Sequence, residues 1–204
     1  MSVRLASFRN DWYSPGRSRL WQAVWFVLGC PLMKCGVMPF SGFRVSLLRL
    51  FGAQVGQGVV IKPGVRVKNP WRLTVGNDCW IGEDCWIDNI GDVVISDDVC
   101  LSQGAYLCTG NHDWSDTSFG LIVKPIRLER GSWVGARALI APGVSLGQCA
   151  VAAAGSVVQK SVPAFEIHSG NPAAFVRRRK FSVVHDKQVA ASDLTLDKVA
   201  SSRA

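Results

Sequence analysis

From Val55 onward an aliphatic residue recurs every sixth position: Val55, Ile61, Val67, Val75, Ile81, Ile87, Ile95, Leu101, Leu107, Leu128, Val134, Ile140, Leu146, Ala152, Val158. Fourteen of these fifteen are Ile, Leu or Val, against 51 of 204 in the whole chain, so the period is not a by-product of composition. The next residue is often Gly (Gly56, Gly76, Gly82, Gly135, Gly147), and four places on stands a small or β-branched side chain, from Val59 and Val65 to Ser156 and Val162. An α-helix cannot honour a strict period of six, because 3.6 residues per turn would walk the stripe around the cylinder. Short strands joined by tight turns can. Each hexapeptide then forms one side of a triangular coil, its aliphatic pointing inward and the Gly or an Asn helping at the corner. The expected fold is all-β, a parallel β-helix.

The interruptions are informative too. The spacing stretches to eight at Val67–Val75 and Ile87–Ile95, and to 21 between Leu107 and Leu128. Removing one hexapeptide from the last leaves fifteen extra residues, read as a protruding loop at 113–127. A loop of that length in a regular coil is more often functional than incidental. The expected organisation is an apolar, helical segment over 1–54, the β-helix over 55–163, a cap and basic segment over 164–185, and a loosely ordered polar tail over 186–204.

Residues 20–33 are the most apolar stretch but fall short of the roughly 18 to 20 residues that span a bilayer. An exported protein is an alternative, because Arg17 and Arg19 precede the run and Val27-Leu28-Gly29-Cys30 approaches a lipoprotein site; bulky Leu28 and the nineteen preceding residues argue against it. A helix carrying Trp21, Trp25, Phe26 and Leu28 between Arg17, Arg19 and Lys34 suits peripheral membrane contact through residues 17–40. Packing on the protein's own body or on a neighbouring subunit suits it equally. Phe43 to Phe51 reads as a short amphipathic helix ended by Gly52.

The net charge of +8 admits nucleic acid, anionic lipid or a polyanionic small molecule as partner. Nucleic acid is not expected: no zinc-finger spacing or RNP motif is present, and the one short basic run is Arg177-Arg178-Arg179-Lys180. Seven cysteines, an odd number with no Cys-x-x-Cys pair, read as reduced thiols of a cytosolic protein.

The repeat resembles that of the hexapeptide-repeat acyltransferases, whose coils wind left-handed. The chain is most similar to the O-acetyltransferases of colanic-acid and related exopolysaccharide biosynthesis. The resemblance reaches to about Lys180 and rests on Leu47-Leu48-Arg49-Leu50-Phe51-Gly52-Ala53, Asn69-Pro70-Trp71-Arg72-Leu73, Ser102 to Asp113 (SQGAYLCTGNHD) and Gly170-Asn171-Pro172-Ala173. It implies a left-handed β-helix and a homotrimer with active sites between subunits. It also implies acetyl-CoA as co-substrate, a sugar or lipid-linked oligosaccharide as acceptor, and a cytoplasmic place at the inner face of the membrane.

His112 stands where related sugar acetyltransferases carry a His before the protruding loop. An imidazole, with a pKa of about 6.5, suits removal of a proton from an attacking hydroxyl. A solvated loop histidine is the plain alternative. By the same resemblance Asp88 and Asn89 are acceptor-binding candidates at a corner, though Asp88 can equally be a simple corner residue. Asp113 is a third acceptor-binding candidate, and it either orients His112 or caps the turn. For the donor, the resemblance points to Trp133 against the pantetheine arm, to Ala136 and Ala154 as small positions beside it, and to Lys160 and Arg177 near the phosphates. Each also reads as an ordinary coil or surface residue. Three histidines raise the zinc enzymes built on the same coil, but these need three converging imidazoles; His168 is 56 residues from His112, and no metal is expected. A non-catalytic trimeric scaffold and an acyltransferase with an amine acceptor remain the other readings.

Overall fold

The computed structural model describes residues 2–37 and 40–182. His185 and the tail expected to be loosely ordered lie outside the described residues. From Gln54 the chain winds as a left-handed parallel β-helix, a triangular prism with three parallel sheets as its faces. The first face stacks Gln54–Val55, Leu73–Val75, Val93–Ile95, Ile126–Leu128 and Ser145–Leu146. The second stacks Val60–Ile61, Trp80–Ile81, Cys100–Leu101, Trp133–Val134, Val151–Ala152 and Glu166–Gly170, and ends on the antiparallel strand Ala173–Arg178. The third stacks Arg66–Val67, Trp86–Asp88, Tyr106–Cys108, Leu139–Ile140 and Val157–Val158.

Register records the interruptions directly. Gln54 pairs with Thr74 and Thr74 with Val94, a coil of 20 residues; higher up, Leu139 pairs with Val157, a coil of 18. Between them Tyr106 pairs with Leu139, a step of 33, which is one 18-residue coil plus fifteen. The excursion is not at 113–127, however. Gly110–His112 and Leu121–Val123 already form an antiparallel hairpin, and Ile126–Arg127 are back in the first face beside Val93 and Val94. Periodicity counts inserted residues without fixing where they enter. The chain departs after Thr109, a buried residue whose hydroxyl donates to Asp88 O and accepts from Gly91 N, both at 2.9 Å.

The corners also differ from the expectation. The left-handed residue that turns each tight corner comes three places after the aliphatic, from Gly58 and Gly64 through Asp78, Asp84 and Asp98 to Arg137 and Gly155. Asp tolerates that conformation better than most side chains. The glycine directly after the aliphatic serves a different purpose. A Cβ on Gly135 would lie 2.5 Å from Ala154 N and 2.8 Å from Ala152 O. Coils stack backbone on backbone there, and a methyl group would force them apart.

Inside, the aliphatic column from Ile61 to Val158 is buried, with small residues such as Cys79, Cys85, Ala105, Ala138 and Ser156 filling the corners between. All seven cysteines are free thiols. Burial pushes the Cys85 thiol up to about 12, so it serves as a small apolar side chain.

The prism's lower end would expose three strand edges, and two helices cover it. The first helical stretch runs Arg19–Val24, Trp25–Gly29 and Cys30–Lys34 with a π turn in the middle; the second helix is Ser41–Leu50, ended by Gly52 at φ +93°. One side chain satisfies each edge. Arg49 donates to Val55 O and Gly56 O on the first face, and Ser41 Oγ accepts from Ile61 N and donates to Val59 O on the second. Trp25 Nε1 donates to Val67 O on the third. Trp25 is fully buried beside Phe51, and Gly29 makes room for it: a Cβ there would lie 2.0 Å from the indole. Buried Arg44 ties the helix end down, donating to Met33 O and Cys35 O. The first helix thus packs on the protein's own body with one side and leaves its other side bare.

Gly135→Ala should destabilise the fold by about 1–3 kcal/mol through overpacking against backbone. A urea midpoint equal to that of the wild type would refute this explanation of the corner.

Candidate active site

The hairpin rises from the corner between the third and first faces. It lies close to the prism because Gly91 and Gly110 carry no Cβ; one on Gly91 would sit 2.8 Å from Val123 Cγ1, one on Gly110 2.6 Å from Ile90 Cδ1. His112 ends the outgoing strand. Its ring stacks on Phe119 at 4.4 Å and 6°, and Phe8 of the amino-terminal arm meets it edge-on at 5.5 Å. Nδ1 lies 2.9 Å from the carbonyl oxygen of Phe119. A carbonyl only accepts, so Nδ1 carries a proton, and in the neutral ring Nε2 is the nitrogen with the lone pair. Phe119 offers that carbonyl from a left-handed conformation, φ +54°, in the turn closed by Asp113 N donating to Gly120 O. The arm is fastened alongside by Arg4 N donating to Thr117 O and Tyr13 OH donating to Ile90 O.

Asp113 acts within this turn. Its carboxylate accepts from the Ser115 amide and hydroxyl, which hold it below the usual carboxylate range. Of the two roles open to it toward the loop, it caps the turn, and the Phe119 carbonyl orients the imidazole.

One corner below, Asp88 closes the strand Trp86–Asp88 on the outside of the third face. The Lys68 ammonium stands 2.9 Å from its Oδ1, and Tyr106 OH donates to Oδ2 at 3.3 Å. Burial, with Cys108 and Asp88 adding to it, raises the Tyr106 phenol above its ordinary range, so it acts as a neutral donor. Tyr106 stacks on Trp86 at 4.5 Å, and Arg66 lies over the indole at 4.4 Å. Asn89 is not available to an acceptor. It is fully buried, with Nδ2 donating to Asn69 O and Oδ1 accepting from Asn69 N, because the widened corner leaves backbone groups that only a side-chain amide can reach. Between hairpin and third face opens a cleft of about 440 Å³, lined by Cys108, Asn111, Trp114, Leu139 and Val157 among others.

The donor candidates sit elsewhere. Trp133 is 43% exposed on the second face, its Nε1 donating to Ser102 Oγ. Ala136 and Ala154 stack on the adjoining corner, where Gly155 N donates to Ala136 O, and their small side chains leave the corner open. Arg177 is in register with Trp133 through Val151 and Ile167, three strands away, or about 14 Å at roughly 4.8 Å per strand. Lys160 is not with them. It follows the strand Val157–Val158 at the corner between the third and first faces, opposite the second face. Arg179 is a structural residue, donating to Gly131 O and Cys149 O. The chain therefore divides the candidates: His112, Asp88 and Lys160 on one corner of the prism, Trp133, Ala136, Ala154 and Arg177 on the far side.

Sequence reasoning passed over Phe8, Phe119, Lys68 and Tyr106. Tyr106 lies inside the stretch Ser102 to Asp113 and alternates outward beside Asp88; nothing local marks Phe8, which reaches His112 across 104 residues. His168 is a packing residue, its Nε2 on Glu166 at 2.9 Å and its ring edge-on to Phe175. Among the described residues no group of three or more His, Cys, Asp or Glu side chains is placed to hold a metal ion.

A family model described as the hexapeptide repeat of succinyl-transferase matches residues 125–160. Over 156 residues the chain is 36% identical to WcaF of Escherichia coli K12, to which a role as a colanic acid biosynthesis acetyltransferase is ascribed; the match covers 76% of this chain and 86% of WcaF. It is 27% identical over 137 residues to the galactoside O-acetyltransferase of E. coli, covering 66% and 68% of the two. Among solved structures it shares its fold with the hexapeptide-repeat acetyltransferase VCA0836 of Vibrio cholerae, complexed with acetyl coenzyme A. The TM-score is 0.72 over 87% of this chain and 96% of that one, at 23% identity.

In ¹⁵N NMR spectra His112 should appear as the Nδ1-protonated tautomer when neutral. An Nε2-protonated ring would contradict the bond to Phe119.

Proposed function

The chain belongs to the hexapeptide-repeat acetyltransferases, and from that footing we propose that it moves the acetyl group of acetyl-CoA to a hydroxyl of a sugar in exopolysaccharide or capsule assembly, with His112 as general base. The sugar acceptor draws support from the two relatives, one ascribed to colanic acid biosynthesis and one named for galactosides. Support for the donor comes from the acetyl-CoA complex of the V. cholerae protein and from the open corner at Ala136 and Ala154 beside Trp133, which leaves room for an extended arm.

The observation that carries the mechanism is the Nδ1 bond to Phe119, which leaves Nε2 free to accept. Nε2 takes the proton of the acceptor hydroxyl as its oxygen attacks the thioester carbonyl. The tetrahedral intermediate collapses by breaking the C–S bond, and the imidazolium returns its proton to the departing thiolate. Asp88, held by Lys68 and Tyr106, is the acceptor-binding candidate, since its carboxylate can accept from a sugar hydroxyl. Asp113 keeps the turn in place, and Arg177 supplies charge for the donor's phosphates.

The base and the donor arm lie on opposite sides of one prism, so they meet only when the second face of one copy approaches the hairpin of another. Such a contact joins two different surfaces and closes into a ring, which a homotrimer does. Trp80 and Trp133 on the second face, and Leu139 and Val157 on the third, make these surfaces more apolar than the first face, where Gln54, Thr74, Val94, Arg127 and Ser145 point outward. Lys160, on the hairpin side, then approaches the donor held by the neighbour.

His112→Ala should lower turnover by about 10²- to 10⁴-fold while coenzyme A affinity by calorimetry and the oligomer mass stay unchanged; wild-type turnover would remove the mechanism. Mixed oligomers of His112→Ala with the double variant Trp133→Ala, Arg177→Glu should recover activity that neither parent has. Absence of recovery in verified mixed oligomers would place the whole site within one chain.

A further inference from the structure

The first helix is bare on the side turned away from the prism. That side carries Leu20, Ala23, Val27, Leu28, Pro31 and Leu32, with Leu20 76% and Val27 69% exposed. A surface helix ordinarily turns polar residues outward, and an apolar outer face of this extent marks an interaction site. The rest of the helix explains none of it, because Trp25, Gly29 and Met33 already serve the core from the inner side.

Charge identifies what covers this face. Residues 1–77 hold eleven Lys and Arg against one acidic residue, Asp11, whereas residues 78–204 hold twelve against fourteen. The chain's positive surplus thus lies in its first 77 residues, which include the helices that close the prism. Arg19 begins the helix and Lys34 ends it, and both are exposed. We propose that this face docks the protein on an anionic lipid surface, the helix lying in the interface with its apolar side among the acyl chains and Arg19 and Lys34 at headgroup level. Among the described residues no helix is long and apolar enough to cross a membrane, which fits a helix lying along it. Parallel copies in a trimer would present three such helices to one surface, multiplying the avidity of each.

Flotation of the full chain with vesicles tests this, using phosphatidylcholine alone and a mixture of roughly 7:3 with phosphatidylglycerol. The protein should float with the anionic vesicles, and about 0.5 M salt should weaken that binding. Leu20→Glu with Val27→Glu should reduce the bound fraction about tenfold or more, as should the charge reversal Arg19→Glu with Lys34→Glu, which leaves every apolar contact in place. Both variants should keep the wild-type oligomer mass by light scattering. Failure to float with either vesicle, or binding that both variants leave intact, would overturn the proposal. A drop in oligomer mass for Leu20→Glu with Val27→Glu would overturn it too, by making a second copy the occupant.

Discussion

Each strand of the prism finds its hydrogen-bond partners only in the coil above and the coil below, and everything else in the structure answers to that dependence. Side chains must stack in columns, so a coil can hold only what its neighbours leave room for: a large aliphatic on each face and a small residue at each corner. Backbone must approach backbone at the corners, which selects glycine at Gly135 and its equivalents. A stack of this kind also has ends. Ser41, Arg49 and Trp25 satisfy the three edges of the first coil from two helices, and buried Arg44 binds those helices together. Above, the antiparallel strand Ala173–Arg178 closes the second face.

The candidate site is built where the stacking is locally relaxed. Widened corners at Asn69 and Asn89 and the hairpin after Thr109 occupy the same edge of the prism, where inserted residues escape the six-residue rule. His112 is held by groups from two separate stretches of chain, the Phe119 carbonyl and ring and the Phe8 ring. None of these is charged. The imidazole is therefore oriented by a neutral acceptor.

The period of six made the coil, its register and the count of inserted residues legible in the sequence, since each follows from spacing alone. It misplaced the hairpin by a few residues and misassigned the glycines, because spacing does not say whether a small residue is there for its φ or for its missing Cβ. Resemblance marked His112, Asp88 and Trp133 as candidates, but Asn89 could not be recognised as internal without seeing Asn69 beside it. Phe8 and Lys68 were illegible for a plainer reason: they reach the site by folding across distances that no local pattern encodes. The face of the first helix was apolar in the sequence, yet which half of that apolarity the core would claim depended on the π turn at Trp25–Gly29.

The step of 33 residues between Tyr106 and Leu139 has a consequence for how such a protein can change. The coils before and after the hairpin are paired as though it did not exist, with Cys100 beside Trp133 and Tyr106 beside Leu139. Length and sequence at the tip, around Trp114 to Ser118, can thus vary during descent without disturbing the ladder, and the scaffold is inherited intact.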